Sequence, residues 1–168
     1  LFNENNYADG ENAQDILDKI NENGGIAVLP WGVGKWLGRR GKIISSLLNT
    51  NSPDKLAIAD ISARTALWPS PEQFNVAAKL GFSCLYGTDP LPIKYDQQRI
   101  ASAGMIMELS ADSAQALTEM KASLLRQSER KISTYGKRVS IFRFVIDQIM
   151  LRLRKQSCLP AAYSEYFK

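Results

Sequence analysis

Residues 12–32, NAQDILDKINENGGIAVLPWG, join a short amphipathic segment to an apolar run through two glycines. The first half has acidic residues in its opening turn, one apolar stripe and a closing Gly24-Gly25, which are the signals of a capped helix. The run from 26 to 30 is too short for a helix and is rich in strand-forming residues. The stretch therefore predicts a helix, a tight turn and a buried strand.

Two further units of the same kind follow along the chain. Helices are predicted at 40–51 and 70–81, and buried strands at 54–63 and 82–92. Strands that are apolar on both faces and alternate with amphipathic helices are typical of parallel βαβ units. We therefore predict an α/β fold in which residues 1–109 form a partial, distorted α/β barrel of parallel strands.

The rest of the chain, residues 110–168, has the pattern of basic helices. We predict one helix at 110–127 and another at 140–156, both packing on the α/β region. The second helix carries an apolar stripe that we expect to face the domain, which leaves its cations in solvent. The stripe consists of Ile141, Phe144, Val145, Ile149 and Leu153, and the cations are Arg143, Arg152, Arg154 and Lys155.

The net charge of +4 is unevenly distributed. Residues 1–120 hold 10 basic and 14 acidic side chains, whereas residues 121–168 hold 11 basic and 3 acidic ones. A basic tail of this kind can contact nucleic acid or an anionic membrane. Aromatic residues do not alternate with these charges, however, so a base-stacking surface is not indicated and we expect no nucleic-acid partner.

Composition excludes several classes of protein. With 168 residues, 45% of them apolar, the chain is long enough for one globular domain with a sizeable core. It has no run of about 18–20 apolar residues that could span a bilayer and no signal-peptide pattern, so we expect no membrane association. Cys84 and Cys158 lie far apart in the sequence. We expect both to be reduced thiols, which favours a cytoplasmic location.

Histidine is absent from the sequence. This absence excludes histidine general bases, Ser/His/Asp triads and nearly every ordinary catalytic zinc or iron site. Any catalysis must therefore depend on carboxylates, lysine, arginine, tyrosine or cysteine.

Polar residues follow the carboxyl ends of the predicted strands, where parallel α/β folds place their sites. After the first strand, Gly32, Gly34 and Gly38 can expose backbone N–H groups next to three cations, a combination that favours an anion site for phosphate. The cations are Lys35, Arg39 and Arg40. The loop lacks both the Walker pattern and the dinucleotide fingerprint. The alternative is a solvated basic loop, with Trp31 and Trp36 packed in the core rather than lining a pocket.

The second and third strands end in carboxylates. Asp60 precedes Arg64 by four residues, and the two can either orient a ligand or simply form an ion pair. Thr88 and Asp89 lie in the turn after the third strand, where a carboxylate is costly to bury. We predict that Asp89 binds a metal or another cation, or alternatively that it caps the turn through its own backbone.

Three stretches, DILDKINENGGIAVLPWGVGKW, LAIADISAR and GFSCLYGTDPLP, resemble the second half of a polymerase and histidinol phosphatase (PHP) domain. That family is a metal-dependent phosphoesterase with a distorted α/β barrel fold. In it a helix leads through a Gly-Gly turn to a strand ending in Ala-His-Pro, and a later strand ends in Gly-Ser-Asp-Ala-His. The order, the spacing and the glycine turn match this pattern across residues 13–92.

The resemblance assigns Gly87 and Asp89 to the glycine and aspartate of the family, but Trp31 and Leu91 stand where the family has histidines. It implies that Asp89 is the one metal ligand carried over, with Mg²⁺ or Mn²⁺ as the metal. It also implies that the C-terminal helices, a second copy of the chain or a missing N-terminal half covers the exposed sheet edges, and of these we favour the missing half. Since the chain starts at Leu1 rather than Met, we expect a fragment of a longer protein or a processed product.

Two functional hypotheses result. In the first, the chain is a PHP-like hydrolase domain with a degenerate site, in which Asp89, helped by Asp60, acts as general base or holds Mg²⁺. Cations neutralise an anionic, phosphate-bearing small molecule in this hypothesis. These cations are Lys35, Arg39, Arg40, Arg64 and Arg99. In the second hypothesis, the same pocket binds an anion without catalysis and serves a regulatory or interaction function.

Overall fold

The computed structural model describes residues 10–91, 96–125 and 132–158. Helices and strands alternate in the first of these ranges, as expected of an α/β protein. The helices are α1 (Ala13–Glu22), α2 (Gly38–Thr50), α3 (Glu72–Lys79), α4 (Ser113–Leu125) and α5 (Ile141–Cys158), and a short 3-10 helix covers Gln97–Arg99. The strands are β1 (Ala27–Pro30), β2 (Leu56–Ile61), β3 (Cys84–Gly87), β4 (Gly104–Ile106) and β5 (Ser133–Tyr135).

The unit formed by α1 and β1 confirms the prediction for this part of the chain. Asn12 caps α1, because its side-chain oxygen accepts a hydrogen bond from the Gln14 N–H at 2.8 Å. The helix ends just before Gly24, whose N–H donates to the Asn21 carbonyl oxygen at 2.9 Å. The chain then enters β1 after one tight turn.

β1, β2 and β3 form a parallel sheet with β2 in the centre. In this register Ile58 of β2 lies beside Leu29 of β1 and Cys84 of β3. Leu56, Ala57 and Ile58 are each 0% exposed, so β2 is buried on both faces as its continuous apolar run predicts. The mixed α/β fold with a parallel sheet is thus confirmed. Within the three described ranges the sheet is open and forms no closed barrel, so the partial barrel stays a prediction.

The hydrophobic core is built from the sheet and from α1, α2 and α3. Leu17 of α1, Leu48 of α2 and Ala77 of α3 all belong to it and are at most 3% exposed. Burying one leucine side chain stabilises the fold by roughly 1.5–3 kcal/mol. The core therefore holds the three helices on the sheet and positions the loops that precede α2 and α3.

β4 and β5 form an antiparallel pair that the sequence did not predict. Each strand has three residues, which is too short for an alternating pattern to be recognised. The pair is held next to the sheet by Met105, whose sulfur accepts a hydrogen bond from the Tyr86 N–H at 3.1 Å. β4 and β5 lie on opposite sides of the predicted domain boundary at residue 109, and the boundary itself stays a prediction.

α5 meets the rest of the domain near the carboxyl end of β2. Just before the helix, the Val139 N–H donates to the Ser62 carbonyl oxygen at 2.9 Å. Within the helix, the Phe144 ring packs against the Trp68 ring at 5.6 Å between centroids. No helix in the described part of the chain is long and apolar enough to cross a membrane.

The predicted packing of α5 is wrong for most of its apolar stripe. Phe144 packs on the domain, but the other four residues of the stripe are between 44% and 55% exposed; they are Ile141, Val145, Ile149 and Leu153. The physical reason is that α5 turns a charged side toward the domain. Arg143 on this side forms ion pairs with Asp96 and Asp147, and both aspartates are buried. The predicted cations Arg154 and Lys155 have side chains outside the described residues.

Candidate functional site at the carboxyl edge of the sheet

A groove of about 830 Å³ opens at the carboxyl edge of the sheet. Its walls are the loop between β1 and α2, one side of α2, and the loop between β2 and α3. Loops that follow neighbouring parallel strands meet at this edge, which is where α/β folds bind ligands. The groove therefore lies where the sequence predicted a site.

The loop between β1 and α2 is shaped by two glycines and a tryptophan. Gly34 and Gly38 have φ values of 72° and 55°, which most other residues adopt only at a cost. The intervening Trp36 ring is buried, and its Nε1–H donates to the Pro30 carbonyl oxygen at 3.1 Å. Trp31 and Trp36 are each 3% exposed and belong to the core, and both also border the groove. Both tryptophans therefore pack in the core and line the groove as well, although the sequence left these two roles as alternatives.

The N-termini of α2 and α3 both lie at the groove. Their N-cap residues, Leu37 and Pro71, make no capping hydrogen bond through their side chains. The first N–H groups of a helix have no partner inside the helix, and its N-terminus carries a partial positive charge. Two helix N-termini, with their partial positive charge, therefore border the groove, an arrangement that favours an anion.

The residues of the loop between β1 and α2 that were predicted to bind an anion lie in or beside the groove. Gly32 and Gly34 line it, whereas Lys35, Arg39 and Arg40 are exposed on the same loop and the first turn of α2. The stem of Lys35 crosses Gly32 so closely that a Cβ at residue 32 would lie 2.7 Å from the Lys35 Cδ. Glycine at this position thus lets Lys35 lie across the loop.

Lys42 lines the groove and was not predicted as a site residue. Ser45, Ser46 and Asn49 continue the same face of α2 at helical spacing and line the groove as well. This polar stripe could be recognised in the sequence as one side of a helix. Only the position of the loop before α3 shows that the stripe faces a groove rather than open solvent.

Asp60, at the carboxyl end of β2, is the centre of an ion-pair network. Arg64 binds it through two hydrogen bonds, from Nε to Oδ1 at 2.8 Å and from Nη2 to Oδ2 at 2.6 Å, and Arg138 also donates to both oxygens. Burial by itself raises the pKa of Asp60, but hydrogen bonds from the two guanidinium groups outweigh it and hold the pKa below its usual value. Of the two alternatives for Asp60 and Arg64, the structure contains the ion pair. Their roles in catalysis and anion binding stay predictions.

Asp96 is the centre of a second network, which the sequence did not predict. It is 0% exposed and accepts hydrogen bonds from the Leu91 N–H at 2.6 Å, Arg99 at 3.0 Å and Arg143 at 3.4 Å. Arg99 donates in addition to the Ser62 hydroxyl at 2.7 Å. Arg99, predicted to bind an anion, therefore has two protein acceptors, and its role toward a ligand stays a prediction. Arg143 lies 47 residues from Asp96 along the chain, so no local pattern could reveal the contact.

Thr88 and Asp89 follow β3 but lie in different environments. Thr88 is 5% exposed, and its hydroxyl is bonded to the N–H and the carbonyl oxygen of Ala103 at 3.0 and 2.9 Å. Asp89 is exposed and has a φ of 45°, in the left-handed region that aspartate tolerates better than most residues. The Thr88 hydroxyl thus joins two segments of the chain, and Asp89 is the solvent-exposed member of the pair.

The described residues do not fit a divalent metal site. Across 10–91, 96–125 and 132–158, no three acidic or cysteine side chains lie together in a way that could hold a metal ion. Mg²⁺ and Mn²⁺ favour several oxygen ligands, while Asp60 is already bound by two arginines. The role of Asp89 as a metal ligand stays a prediction.

A smaller groove of about 370 Å³ lies at the edge of β3, beside Cys84, Tyr86 and Arg138. The guanidinium carbon of Arg138 lies 5.9 Å from the centre of the Tyr86 ring. Burial raises the pKa of the Cys84 thiol to about 11. The thiol is therefore protonated at neutral pH, which argues against a nucleophilic role for it.

Comparisons with known proteins found no matching family model, no matching curated protein and no matching solved structure.

Proposed function

We propose that this chain is a PHP-like α/β domain whose groove at the carboxyl edge of the sheet binds a phosphate-type anion. One observation carries the proposal: the N-termini of α2 and α3, neither capped by a side chain, meet at this groove together with Lys42. The helix ends supply backbone donors and partial positive charge, and the ammonium group supplies a full charge.

The charges around the groove also favour an anion. The loop before α2 and its first turns carry four cations, whereas the acidic residue on the groove wall is Glu72. The four cations are Lys35, Arg39, Arg40 and Lys42. A cleft bordered by one sign of charge concentrates ligands of the opposite sign.

The remaining groove wall suits the organic part of a phosphorylated small molecule. Trp68, Pro69 and Pro71 offer apolar surface, while Ser45 and Asn49 offer hydroxyl and amide groups for hydrogen bonds. A volume of about 830 Å³ is within the range of roughly 300–1,000 Å³ that small-molecule sites occupy. We therefore expect an organic phosphate to bind more tightly than inorganic phosphate.

Binding is tested by isothermal titration calorimetry with inorganic phosphate and with a hexose phosphate, each with and without Mg²⁺. We expect Lys42→Gln to weaken binding about tenfold, because a hydrogen bond to a charged group contributes roughly 1.5 kcal/mol. The matched control is Lys55→Gln, which removes an exposed lysine next to the amino end of β2, at the opposite edge of the sheet. Equal weakening by both substitutions, or no binding of either phosphate, contradicts the proposal.

Hydrolysis of a phosphoester by a degenerate PHP-like site is the second candidate, and Asp89 favours it. This residue is exposed after the third parallel strand in a left-handed backbone conformation, and sparsely populated backbone conformations are enriched at functional sites. In this candidate Asp89, which is not among the residues that line the groove, acts as general base on a water molecule at the carboxyl end of β3.

The hydrolysis candidate is tested by turnover of a chromogenic phosphate monoester with Mg²⁺ or Mn²⁺. Turnover is expected in the unmodified chain, a loss of about 100-fold or more in Asp89→Asn, and no change in Asp15→Asn on α1. Anion binding without turnover under every metal condition removes this candidate and leaves a binding module with a regulatory or interaction role.

A further inference from the structure

The smaller groove at the edge of β3 is a second candidate binding site, separate from the groove of the proposed function. It encloses about 370 Å³, and we call it the β3-edge groove. None of the residues that line it also lines the larger groove. Small-molecule sites occupy roughly 300–1,000 Å³, so the β3-edge groove has room for a small ligand. The side chains that line it are Asp60, Cys84, Leu85, Tyr86, Thr134 and Arg138.

Strands from both sheets build the walls of the β3-edge groove. Tyr86 lies on β3, and its N–H donates to the Met105 sulfur of β4 at 3.1 Å. Met105 in turn lies beside Thr134 of β5 in the antiparallel register. After β5 the chain reaches Arg138 through Gly136, whose φ of 90° favours glycine. The groove is therefore held by regular secondary structure on two sides.

The charged side chains at the β3-edge groove do not balance one another. Asp60 forms ion pairs with both Arg64 and Arg138, so the three side chains together carry a charge of +1. The side chains of Asp60 and Arg64 are each 10% exposed, and that of Arg138 is 29% exposed. Positive charge that is partly removed from water is stabilised by an anion at hydrogen-bond distance. The network therefore favours an anionic ligand.

Arg138 has hydrogen-bond donors left for such an anion. Its Nη1 and Nη2 atoms donate to the two oxygens of Asp60, and Nη1 donates in addition to the Arg64 carbonyl oxygen at 3.1 Å. The guanidinium carbon lies over the Tyr86 ring, 5.9 Å from its centre. Within the described residues, the edge formed by Nε–H and the second Nη2–H has no acceptor. Two adjacent N–H groups of this kind match the two oxygens of a carboxylate.

We propose that the β3-edge groove binds a small organic monocarboxylate through the Nε and Nη2 edge of Arg138. A single negative charge balances the +1 of the network. A phosphate group carries about −1.5 to −2 at neutral pH and would place a second negative charge near Asp60, which shares Arg138 with the ligand. Leu85 and the Tyr86 ring supply apolar surface for the organic part of the ligand, and Thr134 supplies a hydroxyl group.

The Cys84 thiol does not reduce the positive charge of the groove. Because burial raises the pKa of this thiol to about 11, the side chain is neutral at neutral pH. Asp60 is therefore the one ionised acid among the described side chains that line the groove, and two arginines already neutralise it.

The test is isothermal titration calorimetry of the intact chain with benzoate as the probe and benzamide as its neutral counterpart. We expect benzoate to bind with a dissociation constant on the order of 1 mM, and benzamide to bind at least about tenfold more weakly. Arg138→Lys keeps the charge but lacks the paired N–H edge, so it should weaken benzoate binding about tenfold or more. Lys42→Gln changes the larger groove and should leave benzoate binding intact, which separates this site from that of the proposed function.

A second pair of variants applies even if Arg138→Lys disturbs the fold. Thr134→Glu places a carboxylate in the β3-edge groove, where it competes with benzoate for Arg138, and should abolish measurable binding. The matched control is Ser133→Glu, because Ser133 is the neighbouring exposed residue of β5 and borders a different pocket on the other face of the strand. Circular dichroism verifies that every variant is folded.

Three results would overturn the proposal. They are the absence of benzoate binding at about ten times the expected dissociation constant, equal binding of benzoate and benzamide, and equal weakening by Thr134→Glu and Ser133→Glu. Inorganic phosphate that displaces benzoate at a lower concentration than benzoate itself requires would overturn the choice of a carboxylate.

Discussion

Asp60 shows how one side chain can join three segments of the chain. It lies at the end of β2, and its carboxylate binds Arg64 from the next loop and Arg138 from the segment before α5. Burying a carboxylate is costly unless charged partners and hydrogen bonds compensate for the lost hydration. The two guanidinium groups provide this compensation, so each of the three groups depends on the other two.

Asp60→Asn should strongly destabilise the fold. The amide has nearly the shape of the carboxylate but no charge, and it leaves Arg64 buried without its anion. We expect the free energy of unfolding in urea to fall by about 3 kcal/mol or more. The control Asp89→Asn changes an exposed carboxylate and should stay within about 0.5 kcal/mol. A loss below about 1 kcal/mol in Asp60→Asn would show that solvent replaces the ion pairs.

The ion pairs of Asp60 also predict how the stability of the fold changes in acid. Because the pKa of Asp60 is lower in the folded chain than in the unfolded chain, this group stabilises the fold above the unfolded pKa of about 3.9. The stabilisation is lost as the pH falls from there through the folded pKa. Urea midpoints measured from about pH 6 downwards should therefore drop less steeply below about pH 4 in Asp60→Asn than in the unmodified chain. Parallel curves would contradict the assignment.

At the scale of elements, the position of α2 depends on one close approach. A Cβ at Gly41 would lie 2.4 Å from the Trp36 carbonyl oxygen and 3.1 Å from the Gln73 Nε2. The first contact is with the backbone, which cannot move aside as a flexible side chain can. The start of α2 can therefore lie next to the Trp36 backbone because residue 41 has no side chain.

Gly41→Ala tests this dependence. Alanine is favoured over glycine in a helix by about 1 kcal/mol, but forcing a methyl group into a close-packed site costs about 1–3 kcal/mol and should outweigh that gain. We expect a net loss in the free energy of unfolding and weaker phosphate binding, since the start of α2 must shift. Gly87→Ala is the control, because nothing lies within 4 Å of a Cβ there. Increased stability of Gly41→Ala would show that the loop relaxes freely.

At the scale of the whole molecule, polar contacts join α5 and the segment directly before it to the rest of the domain. Arg138 donates to Asp60 and to the Arg64 carbonyl oxygen, and Arg143 reaches Asp96. Phe144 adds one aromatic contact. The attachment of α5 therefore includes these ion-pair networks, whereas α1, α2 and α3 contribute side chains to the hydrophobic core.

Arg138→Gln should loosen α5 while the sheet remains folded. We expect faster amide hydrogen exchange over residues 141–153 and little change in β2, measured by mass spectrometry at low protein concentration. The control Arg152→Gln removes an exposed arginine of the same helix and should leave the exchange pattern unchanged. Similar acceleration in both variants would show that the contacts of Arg138 do not hold the helix.

The parallel strands and the helices around them were predictable because each depends on neighbours in sequence. Apolar runs bounded by glycine indicate strands, and stripes with capping residues indicate helices, so β1, β2 and β3 were all predicted. β4 and β5 were missed because three residues carry too little pattern. For the candidate site, the sequence indicated the edge of the sheet at which the groove lies and the glycine loop that lines this groove, but it missed Lys42.

The sequence by itself determined that the chain forms an α/β fold with polar residues at the strand ends, because residue spacing specifies which side of an element is apolar. The sequence did not determine which part of the protein, if any, packs against the apolar side of each element. The tertiary structure alone decided that Arg138 binds Asp60 across 78 residues, that Arg143 binds Asp96 across 47, and that the apolar half of α5 faces solvent. The physical reason is that a buried charge is satisfied by any partner that folding brings within hydrogen-bond distance, and such a partner leaves no periodic signal in the sequence.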